Sequence, residues 1–163
     1  MSARAAWRLE SLGFPPVFRY TPGKADWFAA GLPRAGRLAT VPRAADAART
    51  DVPTCGLTDR VGAVRQRVRA AGSDQCLVVT DRRVVLGRLR GDALDADPET
   101  RVENVMEPGP TTGRPDGALG AIVERMRAKR VASIVVTTSD GELVGVLERQ
   151  TAEARLNSTR APE

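Results

Sequence analysis

Residues 76–87 read Cys-Leu-Val-Val-Thr-Asp-Arg-Arg-Val-Val-Leu-Gly, and residues 134–145 read Ile-Val-Val-Thr-Thr-Ser-Asp-Gly-Glu-Leu-Val-Gly. The two stretches stand at a constant offset of 58 residues, from Gly87 to Gly145. The same offset carries Thr54 to Thr112, Val61 to Leu119, Val64 to Ile122, Val68 to Met126 and Leu77 to Val135 without a gap. A self-match held across a whole unit marks a duplicated supersecondary element, which cannot bury its apolar face alone.

Both copies have the same local pattern. Val61, Val64, Val68 and Ala71 in the first, and Leu119, Ile122, Val123 and Met126 in the second, recur at helical spacing and give each copy one apolar helix face. Thr58-Asp59 and Asp116 offer side-chain oxygens to the free N–H groups where these helices start. Cys76–Thr80 and Ser133–Thr138 are short and β-branched, as buried strands are. Asp140-Gly141 is a hairpin signal, and Asp81-Arg82-Arg83 fills the matching place without glycine. Gly87 and Gly145 are read as strand ends, each followed by a third strand or helix entry and a short helix.

Between the copies, Asp97-Pro98 interrupts one helix and Thr100-Arg101-Val102-Glu103 starts a connecting helix with capping-box spacing. Val102, Val105 and Met106 form its inward stripe, and Pro108-Gly109-Pro110 stops it. The expected architecture is α/β (α+β): two pseudo-symmetric β-α-β-β-α units packed face to face, each covering the other's exposed apolar side. The boundaries are unit one at 52–96, unit two with its leading helix at 97–156, and a frayed tail at 157–163.

Composition narrows the function. The 163 residues include no histidine, so the commonest general base and metal ligand is missing. Cys55 and Cys76 stand outside any C-x-x-C arrangement and read as small buried side chains. The net charge is +5, with only Lys24 and Lys129 as lysine, but no basic block occurs. Aromatic residues are 4% and lie mostly before residue 30, which argues against nucleic-acid binding. No apolar run approaches the ~20 residues that span a bilayer, and Met1–Glu10 lacks a signal-peptide core, so a cytoplasmic location is expected.

The order of these pieces resembles a pair of cystathionine-β-synthase-type (CBS) domains. Val105-Met106, Thr112-Gly113-Arg114-Pro115, the helix Leu119–Met126, the strand Ser133–Thr137, the Asp140-Gly141 hairpin and Gly145-Val146-Leu147 carry the resemblance over about two-thirds of the chain. It implies a non-enzymatic regulatory module that binds AMP, ADP, ATP or an S-adenosyl compound in clefts between the units, and that associates as a homodimer. In the family a G-h-h-[ST]-x-x-D element meets the ligand, the hydroxyl at phosphate and the carboxylate at the ribose diol.

Here that element reads Gly87-Arg88-Leu89-Arg90-Gly91-Asp92-Ala93 and Gly145-Val146-Leu147-Glu148-Arg149-Gln150-Thr151. Arg90 and Glu148 replace the hydroxyl, and Ala93 and Thr151 replace the carboxylate. Arg90 has the planar fork to pair with phosphate, and Asp92, one position early, is the nearest carboxylate to a ribose. Glu148 repels phosphate, so the second cleft is expected to favour an uncharged ligand or none. The resemblance adds Thr54, Cys76, Thr112, Arg114, Ser133 and Ile134 as candidate ligand-binding positions. These departures also motivate a competing reading, a degenerate dimeric scaffold that binds a protein and no small ligand.

Residues 1–36 follow another pattern. Ser2–Phe14 (S-x-x-A-A-x-x-L-x-x-x-G-F) and Gly23–Pro33 (G-K-x-D-W-x-A-A-G-L-P) resemble the carboxy-terminal end of a rhodanese domain over about a fifth of the chain. A helix ending at Gly13, a strand over Val17–Tyr20 and a short helix over Lys24–Ala30 are expected. The sulfur-carrying cysteine of that family precedes this region, so a sulfurtransferase activity would rest on Cys55. The aromatics Trp7, Phe14, Phe18, Tyr20, Trp27 and Phe28 are expected to form a small core, to dock on the repeat, or to recruit a protein partner. Residues 37–51 read as a connector with a helical turn around Arg43–Arg49.

Overall fold

The computed structural model describes residues 3–160; Met1, Ser2 and the end of the expected tail, Ala161–Glu163, lie outside the described residues. Two helices come first, α1 (Ala3–Ser11) and α2 (Gly23–Ala29). Unit one then runs β1 (Thr54–Cys55), α3 (Val61–Ala70), β2 (Gln75–Val79), β3 (Val85–Arg90) and α4 (Asp92–Asp95). After β4 (Glu107–Pro108), unit two repeats the series as β5 (Thr112–Gly113), α5 (Leu119–Ala128), β6 (Ser133–Thr137), β7 (Leu143–Glu148) and α6 (Arg149–Arg160). The last helix therefore takes in Asn157–Arg160, which the sequence reading left as frayed tail. Among the described residues no helix is long and apolar enough to cross a membrane.

The sheets are ordered β1-β2-β3-β4 and β5-β6-β7, each with its first pair parallel and its second antiparallel. Alternation along the central strands explains how both faces are used. Cys76 and Val78 of β2 join Val61, Val64 and Val68 under α3, and Ile134 and Val136 of β6 join Leu119, Ile122 and Met126 under α5. Leu77 and Val135 point the other way and meet Val52, Leu143 and Val146 in a seam between the sheets. Val85 N donates to the Gly141 carbonyl at 3.0 Å and Leu143 N to the Arg83 carbonyl at 2.9 Å, so the two hairpins also clasp each other. The units are packed face to face, as the duplication requires.

Two sequence expectations need correction. Gly87 and Gly145 stand in the middle of single six-residue strands, not at strand ends. The leading segments also exchange partners. Ala44–Asp46 is a short 3-10 turn, and its fully buried Ala44 belongs to the core of unit two; Val102, in the matching turn Val102–Asn104, belongs to the core of unit one. Leu119 N donates to the Pro42 carbonyl and Val61 N to the Thr100 carbonyl, 2.9 and 3.0 Å, which are the same contact made twice across the pseudo-two-fold. The stretch read as a connector is thus the first copy's leading segment, and the expected connecting helix is one turn packed on unit one. Its small residues, Ala44, Ala45, Ala47 and Ala48, hide the match to Val102, Glu103, Val105 and Met106.

The hairpin turns show what the missing glycine costs. Gly141 has φ +83°, and Arg83, its counterpart, is held at φ +60°, a left-handed conformation in which the Cβ of an L residue crowds the backbone. Arg83→Gly is expected to stabilise the fold by about 0.5–1 kcal/mol, read as a higher urea midpoint with an unchanged slope. An unchanged or lower midpoint would show that Arg83 gains more from its side chain than it loses in its turn.

The amino-terminal segment departs from expectation. Among the described residues Val17–Tyr20 forms no strand and belongs to neither sheet. Trp27 and Tyr20 meet edge to face at 5.1 Å, and Phe28 lies under the guanidiniums of Arg34 and Arg43 at 5.1 and 5.7 Å, a cation–π contact that ties the segment to Ala44–Asp46. Trp7, Phe14 and Phe18 do not enter a core; they are 66%, 61% and 83% exposed.

Candidate ligand clefts

Where each leading segment crosses the opposite unit it comes close to the glycine of the third strand, and this crossing builds the walls of a cleft. At Gly145 a Cβ would lie 2.5 Å from the Arg49 carbonyl oxygen; at Gly87 one would lie 2.7 Å from that of Glu107. Arg49 and Val146 exchange two backbone hydrogen bonds, 2.8 and 2.9 Å, and Glu107-Pro108 pairs with Arg88-Gly87 in the matching place. Only glycine allows so close a backbone approach in mid-strand.

The two crossings then differ. Beside Gly145, Ala47, Arg49, Val146, Glu148, Thr151 and Arg155 line a cavity of about 560 Å3. Glu148 also borders an adjoining cavity of about 390 Å3 with Asp74, Gln75, Ser133 and Glu153, where the starts of β2 and β6 meet across the pseudo-two-fold. Arg49 meets Asp51 at 3.4 Å and Ser73 at 3.3 Å. Among the described residues, the Glu148 carboxylate, the Thr151 hydroxyl and the Arg155 guanidinium make no hydrogen bond or ion pair.

Beside Gly87 the matching positions are committed. Glu107 receives Arg88 Nε at 2.8 Å and Arg90 Nε at 3.2 Å. Hydrogen bonds from Arg88 and then Arg90 hold its carboxyl below the usual carboxylate range. Arg90, expected to take phosphate, already gives its Nε to an internal carboxylate. Asp92 opens α4 and is exposed, and Ala93 packs against the unit-one core.

The remaining candidates scatter. Cys76 is fully buried in the unit-one core and not in a cleft; its hydrogen bond to Cys55 and its burial push its thiol far above the usual range. Cys55, on which sulfurtransfer would depend, is 4% exposed. Ile134 is buried under α5, with its side chain against Gly113. Thr54 lies on β1, and its carbonyl accepts from Arg67. Thr112 and Arg114 line a cavity at the far end of β6. Ser133, Glu148 and Thr151 are therefore brought together at the two adjoining cavities, Thr112 and Arg114 meet at another, and Thr54, Cys76, Arg90, Asp92 and Ile134 join neither group. Arg49 and Arg155 were missed; Arg49 lies in the segment read as a connector, and Arg155 follows Thr151 by one helical turn, a spacing that could have revealed it. Among the described residues, no group of acidic and cysteine side chains could hold a metal ion.

Two sheets back to back, with their leading segments exchanged between the units, make the architecture also seen in solved CBS domain pairs. Residues 102–151 match the CBS domain family. The chain is similar to the cytosolic domain of the Mg2+ channel MgtE in complex with ATP, with 22% identity, a TM-score of 0.63, and coverage of 69% of this chain and 48% of that one. It thus spans about half the length of that structure. It is also similar to the CBS domains of a transcriptional regulator from Streptococcus pneumoniae (20% identity, TM-score 0.63, 70% and 98% covered). A third likeness is the CBS domain pair of protein MJ0100 in complex with 5-methylthioadenosine and S-adenosyl-L-methionine (10% identity, TM-score 0.61, 74% and 99% covered). At these identities the likeness is one of fold. No curated protein matches the chain in sequence.

Proposed function

We propose that this protein is a regulatory, non-catalytic ligand sensor that binds an adenosine compound, an adenine nucleotide or an S-adenosyl compound, in the cleft beside Gly145. The observation that carries this is the convergence of three uncommitted polar side chains, Glu148, Thr151 and Arg155, on one cavity of about 560 Å3, within the size range of small-molecule sites. A carboxylate accepts two hydrogen bonds from a vicinal diol, and a guanidinium fork pairs with phosphate or carboxylate. Arg155 therefore offsets the repulsion that Glu148 alone would exert on an anionic ligand. The MgtE and MJ0100 structures, each solved with an adenosine ligand, support the choice. The adjoining cavity takes Asp74 and Gln75 from unit one and Ser133 and Glu153 from unit two, so a ligand that reaches into it and prefers one angle between the units shifts the population toward it, within the protein or across a homodimer.

Calorimetry with AMP, ADP, ATP and S-adenosyl compounds is the test. Saturable binding of at least one is expected, and Arg155→Gln is expected to weaken a phosphorylated ligand by about tenfold while leaving adenosine unchanged. Silence from all of them in the wild type would overturn the proposal. A second reading, a protein-docking scaffold, draws on the exposure of Trp7, Phe14 and Phe18, since clustered exposed aromatics are interface residues. It is favoured if the screen is silent while Trp7→Ser with Phe18→Ser abolishes function in cells.

A further inference from the structure

The duplication supplies an internal control for every side chain, and around one arginine the two copies diverge. In unit one Arg67 donates to the Thr54 carbonyl and meets the Asp59 carboxylate at 3.3 Å. The guanidinium of its counterpart, Arg125, has no hydrogen bond or ion pair among the described residues. The carboxylate that would hold it is gone, because Gly117 stands at the place of Asp59. Around it, Ser139 replaces Asp81, Thr137 replaces Val79, Arg114 replaces Gly56 and Gly141 replaces Arg83. Over these positions unit one carries two arginines balanced by two aspartates, and unit two carries two arginines and no carboxylate.

These substitutions converge. Thr112, Arg114, Arg125, Thr137 and Ser139 line one cavity of about 320 Å3. Arg114 is anchored across it by donating Nη1 to the Thr138 carbonyl. Thr137 is 4% exposed, and its hydroxyl makes no hydrogen bond among the described residues. Two guanidiniums and three hydroxyls without a lining carboxylate match the oxygens of a phosphate, which accepts forked bonds from arginine and single bonds from hydroxyls. Lys129, one turn beyond Arg125, borders the adjoining groove and adds to the same field. The cavity is at the opposite end of β6 from Ser133, about 13 Å along a five-residue strand, and shares no lining residue with the cleft beside Gly145. Val85 and Gly141, whose backbone hydrogen bond clasps the two hairpins, also line it.

We propose that this cavity is a second binding site, for a small phosphate-bearing anion seated between Arg114 and Arg125 at the joint of the two units. It does not depend on the cleft beside Gly145. The test is calorimetry of the full chain with inorganic phosphate and pyrophosphate, at ionic strength held constant with potassium chloride. Saturable binding of one of them is expected, with Arg125→Gln weakening it by about tenfold, the loss of one charged pairing. Ser139→Asp, which restores the carboxylate of unit one at an exposed position, should weaken it at least as much. Arg67→Gln and Arg155→Gln should leave it unchanged. No saturation in the wild type, or full binding in Arg125→Gln, overturns the proposal; loss in Arg155→Gln alone moves the anion to the cleft and overturns it as well.

Discussion

Gly145→Ala is expected to lower the thermal midpoint by roughly 6–12 °C, from a loss of about 3 kcal/mol at the 2–4 °C per kcal/mol usual for this chain length. The added Cβ would stand 2.5 Å from the Arg49 carbonyl oxygen, 3.1 Å from its carbon and 3.3 Å from the Ala48 Cβ. All three atoms belong to one short, rigid stretch, so no side-chain rotation relieves the clash. The leading segment must lift, which breaks the two hydrogen bonds between Arg49 and Val146 and loosens Ala44 from the unit-two core. The same displacement moves a wall of the cleft, so binding of a ligand proposed to sit there should fall with stability. Gly87→Ala is the comparison. Its Cβ would meet the Glu107 carbonyl oxygen at 2.7 Å but next the Met106 sulfur at 2.9 Å, and a thioether can turn aside. Differential scanning calorimetry of both variants should show the larger drop for Gly145→Ala, and equal, small shifts would sink the role given to the crossing.

Leu77→Ala is the other large effect, expected to cost about 3–4 kcal/mol. Leu77 is fully buried at the centre of β2, on the face turned to the other sheet, where it meets Val135, Leu143 and Val146. Truncation leaves a void that both sheets line, and neither can collapse into it without breaking the backbone bonds between the hairpins. Urea unfolding should show a lower midpoint with an unchanged slope. Hydrogen exchange at the Val85 and Leu143 amides, which cross the joint, should quicken more than at the α3 amides. If the loss is below about 1 kcal/mol, or exchange quickens equally everywhere, the seam is not the element that couples the units.

Both predictions rest on positions the sequence marks without explaining. The 58-residue offset made Gly87 and Gly145 conspicuous, but the reading took them for strand ends, since a glycine inside an apolar run looks like an interruption. Its reason lies in a backbone 96 residues earlier in the chain, at Arg49. The candidate site shows the same limit. Glu148, Thr151 and Ser133 were legible because the resemblance fixes their order along one copy. Arg49 was not, because it comes from the exchanged leading segment, and the occupation of Arg90 was not, because its carboxylate partner belongs to β4. Cys76 was misplaced because alternation along β2 decides which residues face a cleft and which face a helix, and both faces of that strand are apolar.

The sequence by itself determined the duplication, the order of strands and helices, and the need for two units to close on each other, because periodicity and apolar spacing are local and each copy leaves one face uncovered. Only the tertiary structure decided which leading segment serves which unit, because Arg49 and Val146 lie far apart along the chain and meet only when the two units close. In space, Glu107 pairs with two arginines at one crossing, and at the other the Glu148 carboxylate makes no hydrogen bond or ion pair among the described residues.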